Sequence, residues 1–538
     1  MSAYRMTPEQ AGQLSLAEQH DWHAARHSRR TILRGGLIGA GALAGTALAG
    51  NAVAVADPAA KASAPAVNVV AAGERVTGSA VAPYGRHINF GADPTSQMIV
   101  SWQVRSPVTA PFLRLATYPG EFGERIRAEV RPLVSQLSWM QPIDSQPLIK
   151  PTTVTQYYLH VQLSHLMPDT TYYYVVGHDG HDPAGDPSLG GPQSFRTAPR
   201  RPGPFTFTAF GDESVSYDAV ANGQLIAGLN PAFHLHMGDL CYADTSGQGL
   251  ITDSYDARVW DAFFVQNEPV AARVPWMVAV GNHDMEAWYS PNGYGGQEAR
   301  FTFPDNGPSQ CPASYSWQYG NIGLISLDAN DISYAIPANY NYSGGAQTAW
   351  LQRTLAAFRA DDRTDFIVVY FHHSTYSTCK NDGAEGGAQD HWSPLFDQYQ
   401  VDLVLNGHNH VYERTDPIKA GQPTTVAGIG ATIDPSKQGT TYVVAGGGGN
   451  SVYAFPALDN YEGNETPNTA PVPMILNRPG QQTETVEVTW SRIRYTGYGL
   501  IAIDVAPAPS GRRTTLTARA LTESGTEVDR FTLVRKAK

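Results

Sequence analysis

The sequence predicts a layered α/β domain preceded by an all-β sandwich. Three observations carry this. Strand-like runs separated by turn signals fill residues 81–200. From Phe205 onward, short apolar runs alternate with helical stretches. Five of these later runs end in polar motifs built from Gly, Asp, Asn and His. A chain of 538 residues suggests about two or three domains. With 42% hydrophobic and 16% charged residues, it has the composition to bury sizeable cores and is excluded from the wholly disordered class.

Residues 1–56 are set apart as an export signal. Ser28-Arg29-Arg30-Thr31-Ile32-Leu33-Arg34 is a twin-arginine signature. It precedes 22 uncharged residues, Gly35 to Ala56, ending in the small-x-small pattern Ala54-Val55-Ala56. Such a run could also span a bilayer. Its Gly and Ala content is weakly apolar, and the well-placed cleavage pattern favours removal. The twin-arginine route carries proteins that have already folded. Residues 57–80, rich in Ala and Val, read as a linker.

Met98–Val104, Phe112–Tyr118, Gln156–Leu163 and Tyr172–Gly177 read as strands of the sandwich. Pro168-Asp169-Thr170-Thr171-Tyr172-Tyr173-Tyr174 and Phe195-Arg196-Thr197 resemble a fibronectin type III-like domain. Its expected role is packing and positioning. Pro199-Arg200-Arg201-Pro202-Gly203-Pro204 is a stiff linker that marks the domain boundary. The catalytic domain is expected over 203–455, where Ala346–Ala360 reads as an amphipathic helix. Residues 456–538 return to strands, among them Thr485–Trp490, Leu500–Val505 and Thr514–Leu521, and are expected to complete that domain.

The five polar ends carry the chemistry. They are Thr208-Ala209-Phe210-Gly211-Asp212, Met237-Gly238-Asp239-Leu240-Cys241-Tyr242-Ala243-Asp244, Val280-Gly281-Asn282-His283-Asp284, Tyr370-Phe371-His372-His373 and Asn406-Gly407-His408-Asn409-His410. A buried strand tolerates no polar side chain inside it. A polar residue just past its end emerges at the rim, where open α/β sheets bind ligands. Alone, each motif is weak: Gly-Asp makes ordinary turns, and one His is commonly a surface or core residue. Together they offer two Asp, one Tyr, one Asn and three His, all oxygen or nitrogen donors suited to Fe, Zn or Mn.

The order Gly-Asp, Gly-Asp-x-x-Tyr, Gly-Asn-His-Asp, Val-x-x-His, Gly-His-x-His resembles the purple acid phosphatases, of the calcineurin-like metallophosphoesterases. The resemblance covers about residues 80–505. It implies a four-layer α/β/β/α sandwich and two metal ions. Asp212, Asp239, Tyr242 and His410 would hold Fe(3+), and Asp239, Asn282, His372 and His408 would hold Zn(2+), Mn(2+) or Fe(2+). Asp239 would bridge the two. A phenol's pKa near 10 means that a phenolate ligand needs a strongly acidic cation, which ferric ion supplies. The implied activity is hydrolysis of phosphate monoesters by a metal-bound hydroxide, with a small phosphate ester as substrate and secretion as the destination. His283 would serve the phosphate or leaving group, or orient a ligand.

The chain departs from the family pattern at Cys379-Lys380-Asn381-Asp382, where plant members carry His. The leaving-group acid would then be partly missing, or supplied by His373 or His391. Asp284 stands where many relatives have Glu. Of the three cysteines, Cys311 and Cys379 are the candidate bridge, with Cys241 a buried thiol. Residues 1–56 contain five Arg and three acidic residues, so 32 of 37 basic and 46 of 49 acidic side chains remain after their removal, a net charge of −14. That balance argues against nucleic acid or an anionic membrane as a partner. Alternatives are a phosphodiesterase on nucleotides or phospholipid headgroups, an iron redox protein handling peroxide, and a wall-binding role for the β-domain.

Overall fold

The computed structural model describes residues 81–538, except 138–141, 144–145, 148–151, 248–254, 287–288, 291, 334, 337–338, 469, 479 and 481–482. The expected export signal and linker therefore lie outside the described residues.

The N-terminal part is a sandwich of two four-stranded antiparallel sheets. Met98–Val104 pairs with both Tyr84–Phe90 and Thr152–Leu163 in one sheet. Phe112–Ala116 pairs with Thr171–Gly177 in the other.

Two seven-stranded sheets build the second part. In one, Phe205–Phe210, His234–Met237 and Trp276–Ala279 run parallel, continued by Gly499–Ala506, Arg513–Thr522 and Glu527–Lys536. In the other, Ile322–Ser326, Phe366–Phe371, Leu403–Asn406 and Thr441–Ala445 run parallel. Both take strands from the C-terminal 80 residues: Ser491–Tyr495 pairs with Tyr412–Thr415 in the second sheet.

The layering follows from side-chain alternation. Phe366–Phe371 is apolar throughout because both faces are buried. Phe366, Val368 and Tyr370 join the core between the sheets, with Phe207, Leu235 and Leu405. Ile367, Val369 and Phe371 pack outward with Trp350, Leu351 and Phe396. On the other flank Phe210 and Val278 meet Trp260 and Phe263. Helices thus cover each sheet's outer face: Tyr217–Leu229 and Arg258–Ala271 on one side, Ala346–Ala360 and Ser393–Gln398 on the other. This is the expected α/β/β/α order. Among the described residues, no helix is long and apolar enough to cross a membrane.

The sandwich docks on the helix Arg258–Ala271. Gly85 N–H donates to Glu268 Oε2 at 2.9 Å, and Gln103 and Gln156 donate to Asp261 Oδ1. His87 stacks on Phe264 with ring centroids 4.5 Å apart. The expected Cys311–Cys379 bridge is corrected: all three cysteines are free and buried. Cys379 packs with Val411, Val444 and Phe455, a cluster that does not contain Cys311.

Candidate metal centre

Strand ends place the donors. Asp212 and Asp239 stand two residues past Phe210 and Met237, Asn282 three past Ala279, His372 one past Phe371, and His408 two past Asn406. The backbone must turn sharply there. Asp212, Asp239, Tyr242 and His408 have positive φ, at 63°, 51°, 57° and 70°. Left-handed backbone at non-glycine residues costs about 1–3 kcal/mol each and gathers at functional sites. The neighbouring glycines permit close approach. A Cβ on Gly281 would lie 2.0 Å from Asp239 Oδ1, and one on Gly407 2.6 Å from Asp212 Oδ2.

The seven residues meet in two adjoining clusters. In the first, Tyr242 Oη lies 3.2 Å from Asp212 Oδ1 and 2.9 Å from His410 Nε2, with His410 Nε2 3.4 Å from Asp212 Oδ1. In the second, His372 Nε2 lies 3.1 Å from Asp239 Oδ2, 3.2 Å from Asn282 Oδ1 and 3.1 Å from His408 Nδ1. His372 Nε2 is also 4.0 Å from Asp212 Oδ1, so the clusters abut.

The donor chemistry fits cations. His372 Nδ1–H donates to Met237 O at 2.8 Å, and His410 Nδ1–H to Ser451 O at 2.7 Å. In the neutral ring each Nε2 is then a bare lone pair, yet each faces carboxylate oxygen. Asn282 Nδ2 donates to Gly247 O at 3.1 Å, which turns Oδ1 toward His372 and Asp239. Lone pairs converging on lone pairs require a positive charge between them. Side-chain electrostatics agree. Burial disfavours charge on His372, but Asp239 and Asp212 overcome it and push the ring up to about 10. Burial and the charges of Asp212 and Asp239 push the Tyr242 phenol well above its usual value.

Around this centre, Asp284 accepts from Asp239 N–H and Gly281 N–H at 2.8 Å each and from Leu240 N–H at 3.1 Å. His283 lies over Tyr242, centroids 4.4 Å apart, with its Nδ1–H donating to Asp244 O at 2.6 Å. Its Nε2 is 3.9 Å from Asp239 Oδ2.

Two expectations need correction. His373 is fully buried, pressed between His372 and His408 at centroid distances of 5.1 and 4.5 Å, and neither ring nitrogen has a hydrogen-bond partner among the described residues. It packs against the rings of two donors. His391 ends the helix Gly386–His391, exposed to solvent, and no contact at the centre involves it among the described residues. Strand alternation explains the first case. Even positions of Phe366–Phe371 face the gap between sheets, and His372, not His373, continues that face.

Sequence reasoning missed Tyr453, whose ring stacks on His410 at 4.0 Å and 13°. The only signal was the preceding Gly446–Gly449 tract. Cβ atoms on Gly446 and Gly448 would collide with Asn409 O and Gly211 O, so the glycines let this strap lie on the donors.

The calcineurin-like phosphoesterase model matches residues 207–412, and the model of the purple acid phosphatase N-terminal domain matches residues 83–197. An uncharacterized protein of Mycobacterium tuberculosis is 33% identical over 493 residues, 84% of this chain and 87% of that protein. Purple acid phosphatase 18 of Arabidopsis thaliana is 26% identical over 375 residues, 69% of this chain and 72% of that one. Purple acid phosphatase 23 of the same plant is 29% identical over 313 residues, 54% and 62% of the two chains. The structure of a purple acid phosphatase from yellow lupin (Lupinus luteus) seeds shares the fold, with a TM-score of 0.61 and 21% identity over 85% of this chain and 75% of that one. Fold and donor set together define a metal-dependent phosphoester hydrolase with a binuclear centre. The chain belongs to the calcineurin-like phosphoesterases and is of the purple acid phosphatase type.

Proposed function

We propose that this chain is a secreted acid phosphatase that hydrolyses small phosphate monoesters. The observation that carries the reading is the Tyr242 phenol placed between Asp212 and His410. Asp212, Asp239, Tyr242 and His410 would hold Fe(3+), and Asp239, Asn282, His372 and His408 would hold Zn(2+), Mn(2+) or Fe(2+), with Asp239 shared. When bound, such a pair supplies the Lewis acidity that activates water and withdraws charge from the phosphoryl group. The chain's own groups do the rest. Met237 O and Ser451 O fix the tautomers of His372 and His410. Asp244 O holds His283 so that its Nε2 faces the centre, where it hydrogen-bonds a phosphate or leaving-group oxygen. Export by the twin-arginine route is supported by Arg29-Arg30 and the Ala54-Val55-Ala56 pattern.

The test compares kcat/KM for a phosphomonoester and a phosphodiester across pH 4–8. Monoester turnover should dominate on the acidic side. A preference for the diester would assign the centre to phosphodiesterase chemistry, and turnover of neither would remove the reading.

A further inference from the structure

Beside Asn282 and His408 the centre opens into a pocket of about 330 Å³. A phosphate held at the donors would direct its ester group there. Among the described residues no phenyl, phenol or indole ring lines this pocket. Its walls include Ser246, Asn381, Asp382, Arg478 and Thr483.

Three charged side chains line this space, and they are not equivalent: Glu385 already accepts from Ser333 Oγ at 2.9 Å and Gly387 N–H at 3.1 Å. Arg478 is already engaged, by Asp390 at 3.1 Å and Glu484 at 3.1 Å. Asp382 is half-buried, and its carboxylate has no hydrogen-bond partner among the described residues. Its backbone is nonetheless fixed. Asp382 O accepts from Asn477 Nδ2 at 2.7 Å, and the next carbonyl, Gly383 O, accepts from Asn409 Nδ2 at 2.7 Å. Asn409 lies between His408 and His410, so Asp382 is tied to the same rigid frame as the donors. Asp382 lines the same pocket as the donors Asn282 and His408. A half-buried carboxylate is left to water donors, which an N–H or O–H group of a ligand can replace.

We propose that Asp382 is a specificity residue that accepts a hydrogen bond from an N–H or O–H group on the departing alcohol. The preferred substrates are then phosphate esters of amino alcohols or small polyols. Aryl phosphates find no phenyl, phenol or indole ring to stack on among the described residues, and esters carrying a carboxylate meet Asp382 as a like charge. This rests on the phosphatase reading, and the test separates the two.

Binding is measured on the metal-loaded protein with two non-hydrolysable probes of equal length, 2-aminoethylphosphonate and propylphosphonate. The wild type should bind the amino compound about 10–100-fold more tightly, the range of a charge-assisted hydrogen bond. Asp382→Asn should erase most of that ratio, and Asp382→Lys should reverse it. In turnover, the kcat/KM ratio of ethanolamine phosphate or glycerol phosphate to phenyl phosphate should fall in Asp382→Asn by a similar factor. The two esters distinguish an ammonium from a hydroxyl as the group recognised. An unchanged binding ratio in both variants overturns the inference while leaving the phosphatase reading intact. Absence of ester turnover in the wild type, with the phosphonate ratio preserved, overturns that reading instead.

Discussion

Asp284 lies beneath Asp239 and holds the turn that carries it, accepting the Asp239 N–H at 2.8 Å. The same carboxylate accepts from Leu240 and Gly281. It therefore fixes the left-handed Asp239 backbone, φ 51°, at the point where the donors converge. Removing it as Asp284→Ala leaves three buried N–H groups without a partner. Each costs about 1–3 kcal/mol. Metal affinity should drop by about 10–100-fold, the usual effect of losing a group that orients a ligand. Titration with a competing chelator checks this, and unchanged retention would refute the role.

Gly281→Ala should be more damaging than its size suggests. The new Cβ would lie 2.0 Å from Asp239 Oδ1 and 2.6 Å from Asp239 N. The N–H cannot retreat without breaking its hydrogen bond to Asp284, nor Oδ1 without losing the His283 N–H at 3.0 Å. The expected result is loss of bound metal and activity in a protein that still shows the far-ultraviolet circular dichroism of the wild type. Normal metal content would show that the turn can yield.

Tyr242→Phe removes the phenol while keeping the ring that packs beside His283. If the cation at Asp212 and His410 is ferric, the visible absorption band of the loaded protein should vanish and the other donors should remain. A colourless wild type containing only zinc, with full activity, would defeat the iron assignment.

His87 makes the junction between the two parts sensitive to acid. It stacks on Phe264 with its ring nitrogens 2.9 Å from Gly85 O and 3.3 Å from Arg300 O, so the neutral ring donates to one of the two carbonyls, and burial lowers its pKa from 6.5 to about 4. Below pH 6.5 the unfolded chain takes up the proton that the folded chain refuses. Stability therefore declines as pH falls from about 6.5 to about 4, by about 3 kcal/mol in all, and levels off below. Nearby His160 is also lowered, by burial and then by Arg131, and adds in the same direction. His87→Gln should be less stable at pH 7 and should lose less between pH 6.5 and 4. Urea midpoints at several pH values measure this, and parallel curves for both proteins would contradict it.

Much of this was legible in the sequence because the relevant signals are local. An apolar run followed by Gly-Asp or Gly-His announces both a buried strand and what emerges at its end. That logic located Asp212, Asp239, Asn282, His372 and His408 before any coordinates. The layer order was less direct, since Phe366–Phe371 is apolar at every position and only its surroundings separate inner from outer face. His373 was offered as a leaving-group acid because it adjoins a donor, but strand alternation turns it away from the face that His372 continues. The Cys311–Cys379 pairing failed because spacing along the chain says nothing about two loops meeting. Asp382 and Arg478 are about a hundred residues apart in sequence, so the pocket they share had no local signature.

The most direct test measures metal content and phosphomonoester turnover together in the wild type and in Asp239→Ala. The account predicts about two metal ions per chain in the wild type. In the variant it predicts no more than one, with turnover reduced at least ~1,000-fold, in line with loss of the main electrostatic stabilisation. An Asp239→Ala protein that keeps both ions and its activity would contradict a centre built on that carboxylate.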